Sequence, residues 1–257
     1  MALTYGIVWA DFGAEKKETA SAEHALGTKM VLPDGRTFYY GQCASGAAIT
    51  TAGMIVDGQV LKGAHDLDVP PTAAQSVGDN TISLEVPTTD LTKDEYKDGY
   101  LVFNDGPGEG EIYRIVSHPA HDASDDATVI ITIEDEGIQT AITTSTEAQL
   151  VFPPYSGLKL IDGDGTQSTG PLGITAIPMT ASYYGWIQTS GLASVAMGAT
   201  DAVLGNGMQV SEGSGEDGRA TLFDLSGDTD LVSIGTAIGV LSTTDEDKQL
   251  CMLHIRP

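Results

Sequence analysis

Apolar side chains in this chain recur at every second position in short runs, and most runs stop at glycine, aspartate, threonine or serine. Ile82, Leu84 and Val86 alternate with Thr81, Ser83 and Glu85; Val129, Ile131 and Ile133 alternate with Thr128, Ile130 and Thr132. A period of two puts one set of side chains on each face of a strand, so such runs are half-buried β-strands. A helix needs an apolar stripe at a period of 3.6, and the segments that resemble a helix in composition lack one. With 31 glycines and 11 prolines, the chain has turn residues for many short strands. The expected fold is mainly β: two small antiparallel β-barrel or sandwich units with an extended N-terminal arm.

Residues 1–30 are the expected arm. Leu3, Tyr5, Ile7 and Trp9 alternate with Thr4, Gly6 and Val8 as one short strand. Glu15 to Leu26 has helical composition but nothing apolar to hold it down, so a neighbouring subunit is expected to order the arm. Residues 31–80 read as a β-hairpin and connecting loop: Pro33-Asp34-Gly35 is a tight-turn signal, and Pro70-Pro71 lies in a polar stretch. Ala44 to Met54 is small and glycine-rich, a close-packed turn or short helix.

Residues 81–160 form the clearest unit, with strands at Ile82–Val86, Tyr100–Phe103, Ile112–Val116, Val129–Ile133 and Leu150–Phe152. Residues 161–171 are a linker by composition. Residues 172–257 form a C-terminal β unit with strands at 174–177, 183–189, 192–197, 208–210, 220–222, 233–241 and 250–255. Within it, Ser190-Gly191 is expected to turn a hairpin whose Trp186 is buried.

The formal net charge is −24, from 36 acidic and 12 basic side chains. A surface of that sign repels phosphate backbones and anionic lipid, so neither nucleic acid nor a membrane is an expected partner. No run reaches the roughly 18–20 apolar residues of a spanning helix, and Met1 to Gly6 lacks the basic and apolar regions of a signal peptide. The chain is therefore expected to be made in the host cytoplasm. Cys43 and Cys251 both lie among apolar or small residues and are expected as two buried free thiols.

Candidate chemistry is sparse. His118-Pro-Ala-His121-Asp122 supplies possible metal ligands but has no third histidine or cysteine nearby, and a solvated loop is the simpler reading. Asp162-Gly-Asp164-Gly opens like a calcium loop, yet Gln167 and Gly173 stand where that loop needs glycine and glutamate. Asn104 to Gly110 is glycine-rich without a phosphate-binding cation and reads as a hairpin loop. No nucleophile elbow or cysteine–histidine pairing is present, so no catalytic residue, metal or cofactor is assigned. Trp9 and Trp186 suit core or interface packing better than sugar stacking.

Several segments together resemble the head decoration, or cement, proteins of tailed bacteriophages, especially those of marine phages. They are Asp34-Gly-Arg-Thr-Phe-Tyr-Tyr-Gly41, the stretch from Asp94 through Asn104-Asp-Gly-Pro-Gly-Glu-Gly110 to Ile115, Pro153-Pro-Tyr-Ser-Gly157, and Tyr183-Tyr-Gly-Trp-Ile-Gln-Thr-Ser-Gly191. The resemblance covers most of residues 34–257. It implies a structural virion protein without an active site, bound to the outer surface of the capsid. Its partners would be the major capsid protein and other copies of itself, as a homotrimer or other small oligomer. The expected partner-binding residues are Leu3, Tyr5, Ile7 and Trp9, as a strand added to a neighbouring sheet. A capsid-attached head fibre or adhesin that binds host glycans is the alternative; a β-fold hydrolase is a third.

Overall fold

The computed structural model describes residues 6–86, 88–125, 128–134, 137–162, 169–198, 205–211, 216–222, 232–239 and 248–255. The protein is mainly β. Among these residues there is no α-helix, and a single turn of 3-10 helix covers Ala14–Lys16. The strands are β1 (Ile7–Trp9), β2 (Glu18–Thr19), β3 (Lys29–Val31), β4 (Thr37–Gln42), β5 (Ile55–Asp57), β6 (Thr81–Glu85), β7 (Tyr100–Asp105), β8 (Ile112–Ser117) and β9 (Thr128–Ile133). They continue as β10 (Glu147–Val151), β11 (Lys159–Leu160), β12 (Gly173–Thr175), β13 (Tyr184–Ala196), β14 (Gly207–Val210), β15 (Ala220–Leu222), β16 (Ser233–Ala237) and β17 (Lys248–His254).

The chain divides into two compact units. One is continuous, Leu61–Pro153; the other joins Met1–Val60 to Pro154–Pro257. The expected unit at 81–160 thus corresponds to a unit that begins about twenty residues earlier, and the chain on either side of it forms one body rather than separate modules.

The continuous unit is one antiparallel sheet in the order β10-β7-β8-β9-β6. Its strands keep the alternation visible in the sequence. Ile82 and Leu84 face inward from β6, Val129, Ile131 and Ile133 from β9, and Leu101 and Phe103 from β7. The glycine-rich loop from Asn104 to Gly110 turns β7 into β8, as its composition predicts. The sheet is not a closed barrel. The segment Val69–Pro71 instead touches both outer strands, bridging Ala148 of β10 and Leu84 of β6. Pro70 and Pro71 have no amide hydrogen to extend that pairing, which keeps each contact to a single bridge. Lys93 to Asp98 forms turns, next to the Leu91–His121 bridge.

The discontinuous unit is a larger mixed sheet ordered β1-β3-β4-β13-β17-β16-β14-β15, with β2, β5, β11 and β12 attached beside this path. Its spine is β13, a strand of 13 residues. The hairpin expected at Ser190-Gly191 is absent, because the two halves of β13 find different partners. Tyr184 to Ser190 pairs with β4, and Ser190 to Ala196 pairs with β17. The register with β4 shifts between Gln188 and Ser190, and Gly191 follows directly. Its φ of 88° is left-handed, and a Cβ there would lie 2.9 Å from Cγ of Arg36. Glycine takes this backbone conformation without strain, and the absent Cβ leaves room for Arg36.

The N-terminal segment is not a free arm. β1 lies parallel to β3, and β2 pairs with β13, so residues 7–19 belong to the sheet of their own chain. The polar helix considered for Glu15 to Leu26 is reduced to the end of the 3-10 turn and the two residues of β2. Without an apolar stripe, the segment gains more from strand pairing than from helix. Ala44 to Met54 is irregular, tied down by the Ile49–Met179 bridge. Of the linker at 161–171, Lys159–Leu160 just before it pairs with β5, and residues 163–168 lie outside the described residues.

Candidate functional site

Of the four residues expected to bind a partner, Leu3 and Tyr5 lie outside the described residues. Ile7 and Trp9 stand on β1 and point to solvent, 58% and 76% exposed. Val8 between them turns inward and packs against the cluster of Met30, Leu32, Phe38, Tyr40 and Trp186. The alternation that marked this strand in the sequence therefore also decides which of its side chains are free. β1 pairs with β3 on one side and ends the sheet path on the other, so it is an edge strand.

Phe12, three residues beyond Trp9, is 62% exposed, with the Arg36 guanidinium 5.9 Å from its ring centre. It interrupts the alternation and carried no sequence signal. Three large apolar side chains thus stand in solvent within six residues, on a chain whose surface is otherwise strongly acidic. Scattered exposed apolar residues need no explanation, but a group of this kind on a strand edge marks an interaction surface.

The ridge rests on a layer of rings. Trp186 is only 6% exposed, as expected, with its ring centre 4.9 Å from Tyr40 and 5.2 Å from His24. Tyr184 stacks on the other side of Tyr40 at 6.0 Å. The Tyr40 hydroxyl accepts a hydrogen bond from the Glu23 amide at 3.1 Å, which ties the irregular segment before β3 to this layer. A cavity of about 150 Å³ remains between Val8, Ala10 and Ala14 and the rings of Tyr40 and Trp186.

The histidine pair is not a solvated loop. His118 and His121 are buried; both ring nitrogens of His118 and Nε2 of His121 contact backbone. Nε2 of His118 accepts from the Tyr96 amide at 3.0 Å, and Nε2 of His121 lies 2.8 Å from the Val86 carbonyl oxygen. Burial requires such partners, and they leave neither ring arranged for a metal. Among the described residues no group of three or more His, Cys, Asp or Glu side chains could hold an ion. Most of the Asp162 to Thr166 loop lies outside the described residues.

Cys43 and Cys251 are free and buried, as expected, in two different apolar clusters. Burial raises both thiols, Cys251 to about 11, so neither is an activated nucleophile at neutral pH.

His65 is fully buried in the continuous unit, with Nδ1 2.8 Å from the Tyr96 hydroxyl. Burial holds its imidazole below the usual value, against the opposing contact from the Thr89 backbone; Lys62 and His121 reinforce the lowering and Glu95 opposes it. The unfolded chain then binds more protons than the folded one between the folded value and about 6.5. Stability contributed by neutral His65 is present above that window and is lost as pH falls through it. The melting temperature of the continuous unit is expected to fall between pH 7.5 and pH 5.5, with a shallower slope in His65→Gln, followed by calorimetry at fixed salt. An identical slope in the variant would remove His65 as the cause.

No family model, curated protein or solved structure matches the chain.

Proposed function

We propose that this chain is a structural protein of a virus particle, a decoration protein that binds the outer face of a tailed-bacteriophage capsid and joins neighbouring capsomers. The observation that carries this reading is the exposed ridge formed by Ile7 and Trp9 on an edge strand and Phe12 just beyond it. The four segments that resemble phage cement proteins support it, as does the absence of a catalytic constellation in the sequence. Binding that requires the assembled lattice stabilises the lattice by mass action, and several contacts per oligomer multiply the effect. The partners in this reading are the major capsid protein and further copies of the chain, and no cofactor takes part.

The ridge is exposed, so its side chains can be changed without opening a core. Trp9→Asp combined with Phe12→Asp is expected to cut co-sedimentation with purified capsids by about tenfold or more, since aromatic anchors dominate interface energies. The melting temperature should stay close to the parent value, because surface substitutions cost within about 0.5 kcal/mol. Deleting residues 1–12 is a poorer test, because it would also remove the packed Val8. Undiminished capsid binding by the double variant would sink the role of the ridge. A variant that keeps capsid binding but loses a glycan-array signal would favour the adhesin reading, with Trp9 as the sugar platform.

A further inference from the structure

Three of the chain's 12 basic residues meet at one groove of about 390 Å³ in the discontinuous unit. Lys16 comes from the 3-10 turn, Arg36 from the segment before β4, and Lys248 from the start of β17. Arg36 is already engaged: its Nε is 2.7 Å from Asp34, and Nη2 is 3.6 Å from the buried Glu15. Lys16 and Lys248 make no ion pair with any described residue. Counting the lining side chains, three cations face two carboxylates, so the groove is locally positive on a chain of charge −24. Beside the ammonium groups, Leu192 and Leu250 are each 44% exposed. They stand on neighbouring strands, with Leu250 opposite Ser194 in the β13–β17 register. None of the lining residues is aromatic, and pyranose rings are usually gripped by aromatic faces, so a sugar is a poor fit. The groove asks instead for an aliphatic side chain flanked by carboxylates.

The chain presents such a feature. Leu67 is 62% exposed and lies between Asp66 and Asp68. Neither aspartate forms an ion pair with a described residue; Asp68 shares a side-chain hydrogen bond with the Glu147 carboxyl, which leaves Asp66 the freer of the two. We propose that this chain self-associates head to tail, with the Asp66-Leu67-Asp68 loop of one copy seated in the Lys16–Lys248 groove of the next. Leu67 would lie against Leu192 and Leu250, and the two aspartates would meet the two lysines. A contact between two different surfaces is heterologous, so it builds a ring where the rotation closes and an open chain where it does not. Opposite charges steer the two surfaces together although whole copies repel, because screening confines the general repulsion to about 8 Å at physiological salt. The inference does not rest on the capsid reading, and its test uses the purified full chain alone.

Molar mass by light scattering and by sedimentation, across a concentration series, reads the association. The parent is expected to be oligomeric at about 150 mM salt, where the general repulsion is screened within about 8 Å, with affinity falling as salt rises further. Lys16→Glu with Lys248→Glu should weaken association by about tenfold or more, and Asp66→Lys with Asp68→Asn should do the same. Asparagine is chosen at position 68 because φ there is 56°, a conformation it tolerates. All four positions are free of ion pairs, and far-ultraviolet dichroism with a thermal melt checks that each variant is folded. The decisive variant combines all four changes: the lysine introduced at position 66 then faces the acidic groove where Asp66 faced the basic one, and association should recover in part, above that of either pair of changes alone. A monomeric parent, an oligomer untouched by either pair of changes, or a combined variant no more associated than either pair alone would each overturn the assignment. Since no capsid is present, these outcomes say nothing for or against capsid binding.

Discussion

Replacing Trp186 with alanine will destabilise the discontinuous unit by about 3–5 kcal/mol, the range for large aromatic deletions in cores. The ring lies near the start of β13, opposite Tyr40 of β4, on the strand from which the sheet extends to β4 on one side and to β17 on the other. It packs with Met30, Leu32, Phe38 and Tyr40, all almost fully buried. Its removal leaves a hole that rigid neighbouring strands cannot close, so a cavity cost adds to the lost transfer energy. Tyr40 also loses its edge contact with the indole, and His24 its tilted one. Hydrogen exchange of the β4 and β13 amides under rising denaturant reads the loss in this unit separately from the other. Trp9→Ala is the matched control: an exposed tryptophan should cost little. Exchange in Trp186→Ala that matches the parent would mean that the indole contributes no packing, and the layer beneath the ridge would need another explanation.

The reach of the sequence follows the range of the interactions. In the continuous unit every strand pair joins segments at most about fifty residues apart, and the period-two runs place β6 to β10 within a few residues. In the other unit β4 pairs with β13 and β5 with β12, across more than a hundred residues. Local periodicity contains no information about such partners, which is why Tyr183 to Met197 reads as a hairpin when it is one strand. Gly191 is the particular source of that error. Ser190-Gly191 has the composition of a turn, while the chain holds the glycine's positive φ within one continuous strand. The outward pair Ile7 and Trp9 was legible from alternation alone. Phe12 was not, since it lies beyond the strand, nor was the grouping of Lys16 with Lys248, which depends on the pairing of β13 with β17. The buried histidines were misleading for a related reason. His118 and His121 flank a proline in a polar run, and only the packing of Tyr96 and Val86 against them turns that run inward.

Tyr96 holds the continuous unit together as Trp186 does the other, and Tyr96→Ala should cost about 3–5 kcal/mol there. The residue is fully buried and stacks on Phe152 with ring centres 4.3 Å apart. It also organises two histidines: its amide donates to His118, and its hydroxyl meets His65. The two roles separate by substitution. Tyr96→Phe keeps the stack and the amide bond but removes the hydroxyl, leaving Nδ1 of His65 without that partner. A buried polar group stripped of its hydrogen bond costs about 1–3 kcal/mol, so the phenylalanine variant should fall between parent and alanine. Burial also pushes the phenol above its ordinary value, so the hydroxyl stays protonated through the neutral range. The cost of Tyr96→Phe should therefore show no component from phenol ionisation at pH 7 to 9, where His65 is also neutral. Hydrogen exchange of the β7 and β10 amides gives both numbers. Equal losses for phenylalanine and alanine would assign the whole effect to the hydroxyl, and no loss for phenylalanine would mean that the His65 contact contributes nothing net to stability.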